Sequence, residues 1–467
     1  MPTHSPRRRS SLWVVYFLTF LAPFSTVKAQ TTPDLANIYQ LAHVHDAQYQ
    51  QALLSIDADS YQLQATVSGL KPKLSLSGNV THSHSNITSS ANGDDITQSG
   101  TSREYALNLS QTVFDVSDLN AYQQGQVGLK ALRAELNQIK QEFIIRVSDT
   151  YLDTLLAQDD LNLAKRQERT LKKQVTQARE RFDVGLVSVT DVLDAQARFD
   201  AAQVSTLSAE NQLATAQENL LLLTGKPVKR IATLAKDFPI QTPSATVNEW
   251  ITLATENNPP LQQAIATLEQ TRLQKNLAKS AYLPTIDLFS RYGTSMGYQS
   301  GFDQPDQRVT SIGVSIEMPL YLGGSIGLAK KESQRRWMAA KHALAATRRT
   351  LERDITTLHA QLLTDIRRVK AQNKSVQSNT SALEATEAGY DAGTRSIVYV
   401  LLDQQNVFAA ERDYAQFRYD YIKRFLRIKQ TIGDLHSGTL TEINKWFTDS
   451  SPLEHDASDH EDASNHE

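Results

Sequence analysis

With 467 residues the chain is long enough for several domains, and it has no cysteine, so a disulfide framework, a thiolate zinc site and a cysteine nucleophile are excluded. Its 48 basic and 51 acidic residues nearly cancel, and no basic stripe marks a nucleic-acid surface. Hydrophobic residues make up 40% and the mean hydropathy is −0.40, low for a protein that crosses a membrane on helices.

Residues 1–29 read as a secretory signal peptide. Arg7, Arg8 and Arg9 form the charged region, Leu12 to Phe24 the apolar region, and Val27-Lys28-Ala29 a small-x-small cleavage site. The apolar run is too short to span ~30 Å of hydrocarbon as a helix. Cleavage after Ala29 removes four basic residues and no acidic one, taking the formal charge from −3 to −7. Beyond residue 30 no apolar run approaches a spanning helix, so a place in a membrane requires a closed β-barrel.

The rest of the chain divides into a first unit over 30–225, a linker over 226–247, a second unit over 248–435 and a C-terminal segment over 436–467. In the first unit a helix-like stretch runs into Leu70-Lys-Pro-Lys-Leu-Ser-Leu76 and a pair of strands. Leu74, Leu76 and Val80 alternate with Ser75, Ser77 and Asn79, while Tyr105, Leu107 and Leu109 alternate with Ala106, Asn108 and Ser110. A polar loop from about His84 to Ser102 joins them. Residues 129–184 then contain no glycine or proline and are rich in helix formers. Leu129, Leu132, Leu136, Ile139, Phe143, Ile144 and Val147 recur there at spacings of three and four. Gly185 ends this run, and a second clean run over 186–224 ends at Gly225.

The linker, with Lys226-Pro-Val-Lys-Arg230, predicts little regular structure. Trp250 begins a short helix that stops near Asn258-Pro-Pro260. The second unit then repeats the first. Tyr282-Leu-Pro-Thr-Ile-Asp-Leu288 opens strands bearing Ile286, Leu288, Phe289 and Tyr292, and then Ile312, Val314, Ile316 and Met318, joined by a loop containing Ser300 to Gln307. Clean runs over 328–388 and 394–432 close at Gly389 and Gly433, and the spacing from Gly393 to Gly433 equals that from Gly185 to Gly225. The tail from Ser451 mixes acidic residues with His455, His460 and His466 and predicts a solvated disordered segment, with weak metal binding as the alternative.

The fold expected is mainly α with a small β part. The long runs predict helices of roughly 85–90 Å at ~1.5 Å per residue, a length that suits a coiled coil or a helical barrel. Four strands cannot close around an open channel, since small barrels need about 8. Either the strands form a soluble sheet or several chains share one barrel; the secretory signal and the long helices favour the shared barrel.

From Leu35 to Leu435 the chain resembles the TolC family of trimeric outer-membrane export ducts. The likeness is carried by Arg181-Phe-Asp-Val-Gly-Leu-Val-Ser-Val-Thr-Asp-Val192 and Ala388-Gly-Tyr-Asp-Ala-Gly-Thr-Arg395, with support from Ser110-Gln-Thr-Val-Phe-Asp115, Leu283-Pro-Thr-Ile-Asp-Leu288 and Pro319-Leu-Tyr-Leu-Gly-Gly324. The resemblance implies a homotrimer in which each chain gives four strands to one β-barrel in outer-membrane lipid. Long helices continue the barrel as a coiled-coil tunnel through the periplasm. It further implies an inner-membrane transporter and a periplasmic adaptor at the far end, which opens like an iris. Gly185 and Gly393 are then the tip turns. By the family pattern Tyr390 and Arg395 latch the gate to Asp191 and Thr190; helix capping by Asp191 and Thr190 is the plainer reading, and the two can coexist. The family's paired aspartates at the constriction are replaced by Tyr399 and Leu402, with Asp403 next in line, facing either the pore or a neighbouring helix.

No His-rich metal spacing, phosphate loop or nucleophile elbow is present, so neither an enzyme nor a cofactor is expected. His43, His45, His82 and His84 read as surface residues. Two alternatives remain at this level: a periplasmic adaptor, which usually carries one hairpin rather than two, and an extracellular coiled-coil adhesin, which has no need of strand pairs at matching places. The cargo is not legible.

Overall fold

The computed structural model describes residues 33–88, 95–228, 230–235, 237–240, 242–299 and 302–452. The expected signal peptide and the tail beyond Pro452 lie outside the described residues. Helices α1 (Leu35–His45) and α2 (Ala47–Gln64) lead through a short 3-10 turn into strands β1 (Lys73–Thr88) and β2 (Asp95–Phe114). Helix α3 (Val116–Asp183) and helix α4 (Val189–Thr224) follow as a hairpin, and then a short strand, β3 (Arg230–Leu234). The same order returns with α5 (Val247–Asn257), α6 (Pro259–Ser280), β4 (Thr285–Gln299), β5 (Phe302–Glu317), α7 (Ser325–Asp391) and α8 (Ile397–Ile432). Helix α9 (Ser437–Asn444) and strand β6 (Phe447–Pro452) close the described chain.

Helices α3 and α7 have 68 and 67 residues, and α4 and α8 have 36 each. At ~1.5 Å per residue the long pair reaches about 100 Å, more than the glycine-free runs foretell. Gly125 and Gly128 explain the excess in α3. A Cβ at Gly128 would stand 2.8 Å from Leu63 Cδ2, and one at Gly125 would stand 3.0 Å from the Leu63 carbonyl oxygen. These glycines let α2 lie close against α3, so they serve packing rather than breaking. In α7 the helix runs through Gly389, and the left-handed residue that ends it is Gly393, at φ +74°.

The main sheet has the order β1-β2-β4-β5, with each neighbouring pair antiparallel. Its register aligns Leu76 with Leu107, Leu107 with Tyr292 and Ser290 with Ile312. With a period of two, this collects Leu74, Leu76, Val80, Tyr105, Leu107 and Leu109 on one face with Tyr292, Ile312 and Val314. That apolar face is open: Leu76 and Ile312 are each 78% exposed. The polar face is internally bonded. Asn108 Nδ2 donates to Ser77 Oγ at 3.2 Å, Thr112 Oγ1 donates to Asp287 Oδ1 at 2.8 Å, and Arg291 pairs with Glu104. Among the described residues β1 and β5 each have one unpaired edge.

Both hairpin loops are shorter than the sequence suggests. His82 and His84 pair with Thr101 and Ser99, which leaves only 89–94 between β1 and β2. A polar stretch without an apolar face gives no hydrophobic signal, yet its backbone still completes the ladder. Strand β5 begins at Phe302 and absorbs Pro305 and Asp306 in a bulge, the register stepping from Ser295–Gln307 to Gly297–Gln304. Proline is tolerated on an edge strand at such a bulge.

The linker expectation is also corrected. Strand β3 pairs with β6, and Ile231, Ala232, Leu234 and Phe238 are buried. The Tyr151 hydroxyl, itself fully buried, donates to the Ala232 carbonyl at 2.6 Å. The segment is therefore a built part of the core midway along the long helices, and Ser451 and Pro452 belong to strand β6 rather than to the tail. That core joins α1, α3, α5, α7, α8 and α9 around Tyr151, Tyr419 and Tyr421. Among the described residues no helix is long and apolar enough to cross a membrane.

Candidate functional site: the paired helix turns

The two hairpins turn back at Gly185 and Gly393 in the same way. In the first, Gly185 N–H donates to Phe182 O and Leu186 N–H to Arg181 O, both at 2.8 Å. In the second, Gly393 N–H donates to Tyr390 O at 3.0 Å and Thr394 N–H to Gly389 O at 2.9 Å. This is the Schellman pattern, with glycine at the left-handed position. A Cβ at either glycine would meet nothing within 4 Å, so backbone conformation alone selects the residue. The turns differ in surface: Val184 and Leu186 are exposed in the first, whereas the second presents Asp391, Thr394 and Arg395.

Just behind the turns both hairpins share a small core. Leu171, Val175 and Ala178 of α3 and Ala195 and Ala202 of α4 meet Tyr390 of α7 and Ile397, Val400 and Leu401 of α8. Tyr390 is 9% exposed, and its hydroxyl has no hydrogen-bond partner among the described residues.

Asp191 and Thr190 are both engaged at the start of α4. Asp191 Oδ2 accepts from the Ser188 N–H and Ser188 Oγ, each at 3.1 Å, completing a capping box, and Thr190 Oγ1 contacts Ser188 Oγ. Within one chain neither meets Tyr390 or Arg395. The cap occupies Asp191 Oδ2 and leaves Oδ1 for another donor. Arg395 instead lies along α8, its guanidinium 5.3 Å from the Tyr399 ring centre. Tyr399 and Leu402 are 51% and 46% exposed and share an open face of α8. Asp403 turns away from that face: Thr386 Oγ1 donates to Asp403 Oδ2 at 2.6 Å, tying it to α7 of its own hairpin.

A contact that the sequence reading assigned no role joins the hairpins at this level. Arg181 Nη2 donates to Asp391 Oδ1 at 3.0 Å, and the Arg181 guanidinium carbon stands 4.3 Å from the Tyr390 ring centre. Arg181 therefore grips α7 by a carboxylate and a buried ring together. It also offsets an acidic strip on α7. Burial, and then the nearby Asp391 and Glu384 charges, hold the Glu387 carboxyl above its usual range. Arg181 and Asp391 each sit within four residues of a turn glycine, but nothing local in the sequence pairs residues 210 apart.

Above the tip, α3 and α4 stay linked to α8. Arg198 Nη1 donates to Gln405 Oε1 at 3.0 Å, Arg166 pairs with Glu411 at 2.9 Å, and Arg427 pairs with Asp149 at 3.0 Å. The Tyr419 hydroxyl donates to Asp159 Oδ2 at 2.7 Å. Burial pushes the Asp159 carboxyl up, opposed in part by that hydrogen bond and by Arg418 and Arg166. Among the described residues no cluster of His, Asp or Glu is arranged to hold a metal ion.

Comparison with known proteins decides the frame. The family model described as "Outer membrane efflux protein" matches residues 38–226 and 250–434. The chain belongs to this outer membrane efflux family. It is 30% identical over 418 residues to the outer membrane protein TolC of Vibrio cholerae, covering 88% of this chain and 93% of that one. It is 25% identical over 407 residues to the alkaline protease secretion protein AprF of Pseudomonas aeruginosa, covering 86% and 85%. In fold it is similar to the outer membrane channel CmeC of Campylobacter jejuni, with a TM-score of 0.72 at 19% identity over 89% of this chain and 90% of that one. The two matched blocks leave out 227–249, the stretch that holds β3. These relatives are channel and secretion proteins, so the adaptor alternative gains no support.

Proposed function

We infer that this chain is one subunit of an exit duct in a bacterial outer membrane, serving efflux or type I secretion as a passive conduit. One observation carries the reading beyond family membership. The sheet exposes its apolar face and bonds its polar face internally, the reverse of a sheet in water and the arrangement of a barrel wall in lipid. Four strands with two open edges fall short of the roughly 8 that close a barrel, so copies must share it; three copies fit the family. The two equal hairpins read as a duplicated unit, and in a trimer they line one periplasmic tunnel.

The paired turns form the gate at the periplasmic end. An inner-membrane transporter and a periplasmic adaptor dock there, and the exposed Val184, Leu186 and Val189 offer an apolar contact for them. Tyr390 and Arg395 act with Asp191 and Thr190 as a releasable latch completed between hairpins; the partnerless Tyr390 hydroxyl and the unused Asp191 Oδ1 support this. Tyr399 and Leu402 ring the constriction. Asp403, held by Thr386, contributes to it indirectly.

Heat-resistant trimers in outer-membrane fractions, together with channels in planar bilayers, test the duct. Combining Tyr390→Phe with Arg395→Glu raises the conductance of purified trimers if the latch exists; unchanged conductance counts against it. Cation titration of single-channel current on Asp403→Ala is expected to match the unmodified channel, and a lost cation block would return Asp403 to the pore.

A further inference from the structure

The helices nearest the sheet lie in a row that repeats the order of the strands. Helix α2 packs on α3, α3 on α6 and α6 on α7, and each is joined to the strand of the same rank, β1, β2, β4 or β5. Helices α2 and α7 therefore end the row, as β1 and β5 end the sheet. On the shared-barrel reading, β5 of one copy adjoins β1 of the next, which brings α7 of the first beside α2 of the second.

Both end helices bury one face and leave the opposite face bare. In α2, Tyr49 and Ile56 are buried, and Leu63 lies on Gly128 of α3. Roughly half a turn away, Leu54, Ala58 and Tyr61 repeat at spacings of four and three and are exposed. In α7, Leu351 is buried, Leu344 packs into the core, and Lys275 of α6 lies on the Trp337 ring. Roughly half a turn from these, Arg335, Ala339, His342, Ala346, Arg349 and Arg353 are exposed.

The two bare faces carry opposite charge. Helix α2 has Asp57 and Asp59, one on each side of the Leu54–Tyr61 stripe, and no basic residue. From Lys330 to Arg353, α7 has eight basic residues (Lys or Arg) and two acidic ones. Both acids are engaged within the helix, Glu332 by Arg336 and Glu352 by Arg348, while Arg353 pairs with Asp354. Among the described residues Arg335, Arg349, Asp57 and Asp59 have no ion pair. The cations Lys130 and Arg133 belong to α3, one helix behind the bare face of α2.

Contacts across the row set the level at which the faces meet. Leu63 lies on Gly128, a Cβ at Gly128 would stand 3.4 Å from Gln270 Nε2, and Lys275 Nζ is 3.8 Å from the Trp337 ring centre. Helices α6 and α7 run antiparallel, so Leu63 stands level with His342 to within about one turn. Asp57 then falls level with Arg349, and Ala58 with Ala346.

We propose that the bare face of α2 docks on the bare face of α7 in a second copy of this chain, with Leu54 and Tyr61 over the alanines and Asp57 paired to Arg349. Small residues bring the helices close. Opposite charge selects α2 against α7, since α7 against α7 would set like charges together. A head-to-tail contact of this kind closes into a ring. The proposal rests on the shared-barrel reading and adds which helix faces meet, and at what level.

The chain has no cysteine, so introduced thiols report one contact each. In full-length protein in outer membranes, Ala58→Cys is combined with Ala346→Cys, and separately with Ala360→Cys, about 20 Å further along α7. A short bismaleimide is expected to join copies through the first pair, giving dimers and trimers that survive boiling. It is expected to join none through the second pair or through any single thiol. Asp57→Arg and Arg349→Asp are each expected to lose heat-resistant trimers, and the two together to regain them. No cross-linking between Ala58→Cys and Ala346→Cys in a chain that still forms trimers overturns the seam and leaves the duct standing. Equal cross-linking through Ala360→Cys overturns the level, and unchanged heat resistance in both charge variants overturns the ion pair. Failure of the unmodified chain to give heat-resistant outer-membrane trimers overturns the duct and the seam together. Should the charge variants not fold, the small-for-small thiol pairs still decide.

Discussion

Replacing Arg181 with alanine removes one link between the hairpins beside the turns, and its size follows from two contacts. The ion pair to Asp391 is largely solvated, with side chains 33% and 74% exposed, so it belongs with surface pairs of about 0.2–1 kcal/mol. The guanidinium over Tyr390 adds a cation–π term of about 0.5–1 kcal/mol, favoured by the burial of the ring. The loss is therefore about 1–2 kcal/mol per chain. If three chains release together it is about 3–6 kcal/mol, which shifts the closed-to-open ratio roughly 100- to 20000-fold. Single-channel recording in planar bilayers reads this directly: Arg181→Ala is expected to raise the time spent in high-conductance states. A double-mutant cycle sharpens it. Arg181→Asp with Asp391→Arg restores opposite charges and is expected to close the channel part of the way back, whereas either single change opens it. Tyr390→Phe keeps the ring, so on this contact alone it is nearly silent, while Tyr390→Leu is not. Gating in Arg181→Ala identical to the unmodified channel, or strict additivity in the cycle, refutes the coupling.

Three further outcomes follow from the geometry. Gly185→Ala and Gly393→Ala are each expected to lower thermal stability by about 1–2 kcal/mol through left-handed backbone strain alone, with Asn costing less; denaturant titration measures it, and no change would show that the turns relax. The raised Asp159 pKa makes its contribution to stability greatest below the ordinary carboxylate range and lost as pH rises through the raised value, so Asp159→Asn, which still accepts from Tyr419, is expected to raise the melting temperature at neutral pH and narrow its difference from about pH 5; an unchanged difference excludes a burdened carboxylate. Leu76→Arg places a charge at a position 78% exposed in one chain, harmless in water but costing up to about 2–4 kcal/mol in a bilayer, so loss of heat-resistant trimers is expected, and normal assembly would contradict the lipid-facing assignment.

The parts of the chain that were legible share one property: their signal is local. The helices announced themselves by breaker-free runs with three-four periodicity, and the strands by alternation at Leu74 to Val80 and Ile312 to Met318. What was missed depends on partners far along the chain. Gly125 and Gly128 look like breakers until Leu63 is seen against them. The linker looks structureless because β3 owes its existence to β6, more than 200 residues later. His84 to Ser102 looks like a loop because polar strands carry no hydrophobic pattern, and only the ladder reveals them. At the tip, the capping role of Asp191 was readable from Ser188 three residues before it, whereas Arg181 gripping Asp391 was not.

The distribution of buried groups along the long helices shows where the two hairpins part at least cost. Midway, α3 and α8 are joined through Tyr151, Tyr419 and Tyr421, all essentially inaccessible, and through strand β3, so sliding one helix past the other there would expose several large rings at once. At about 1.5–3 kcal/mol for each large side chain uncovered, that region resists rearrangement. The tip core is different in kind. Three of its nine buried members are alanines, and the one aromatic ring among those nine, Tyr390, is held across the hairpins by the half-buried Arg181. Parting the hairpins at the tip therefore uncovers less apolar surface than parting them midway, and the ion pair it breaks is one that water replaces readily. The same two hairpins are therefore held more firmly midway than beside the turns, where they part at lower cost.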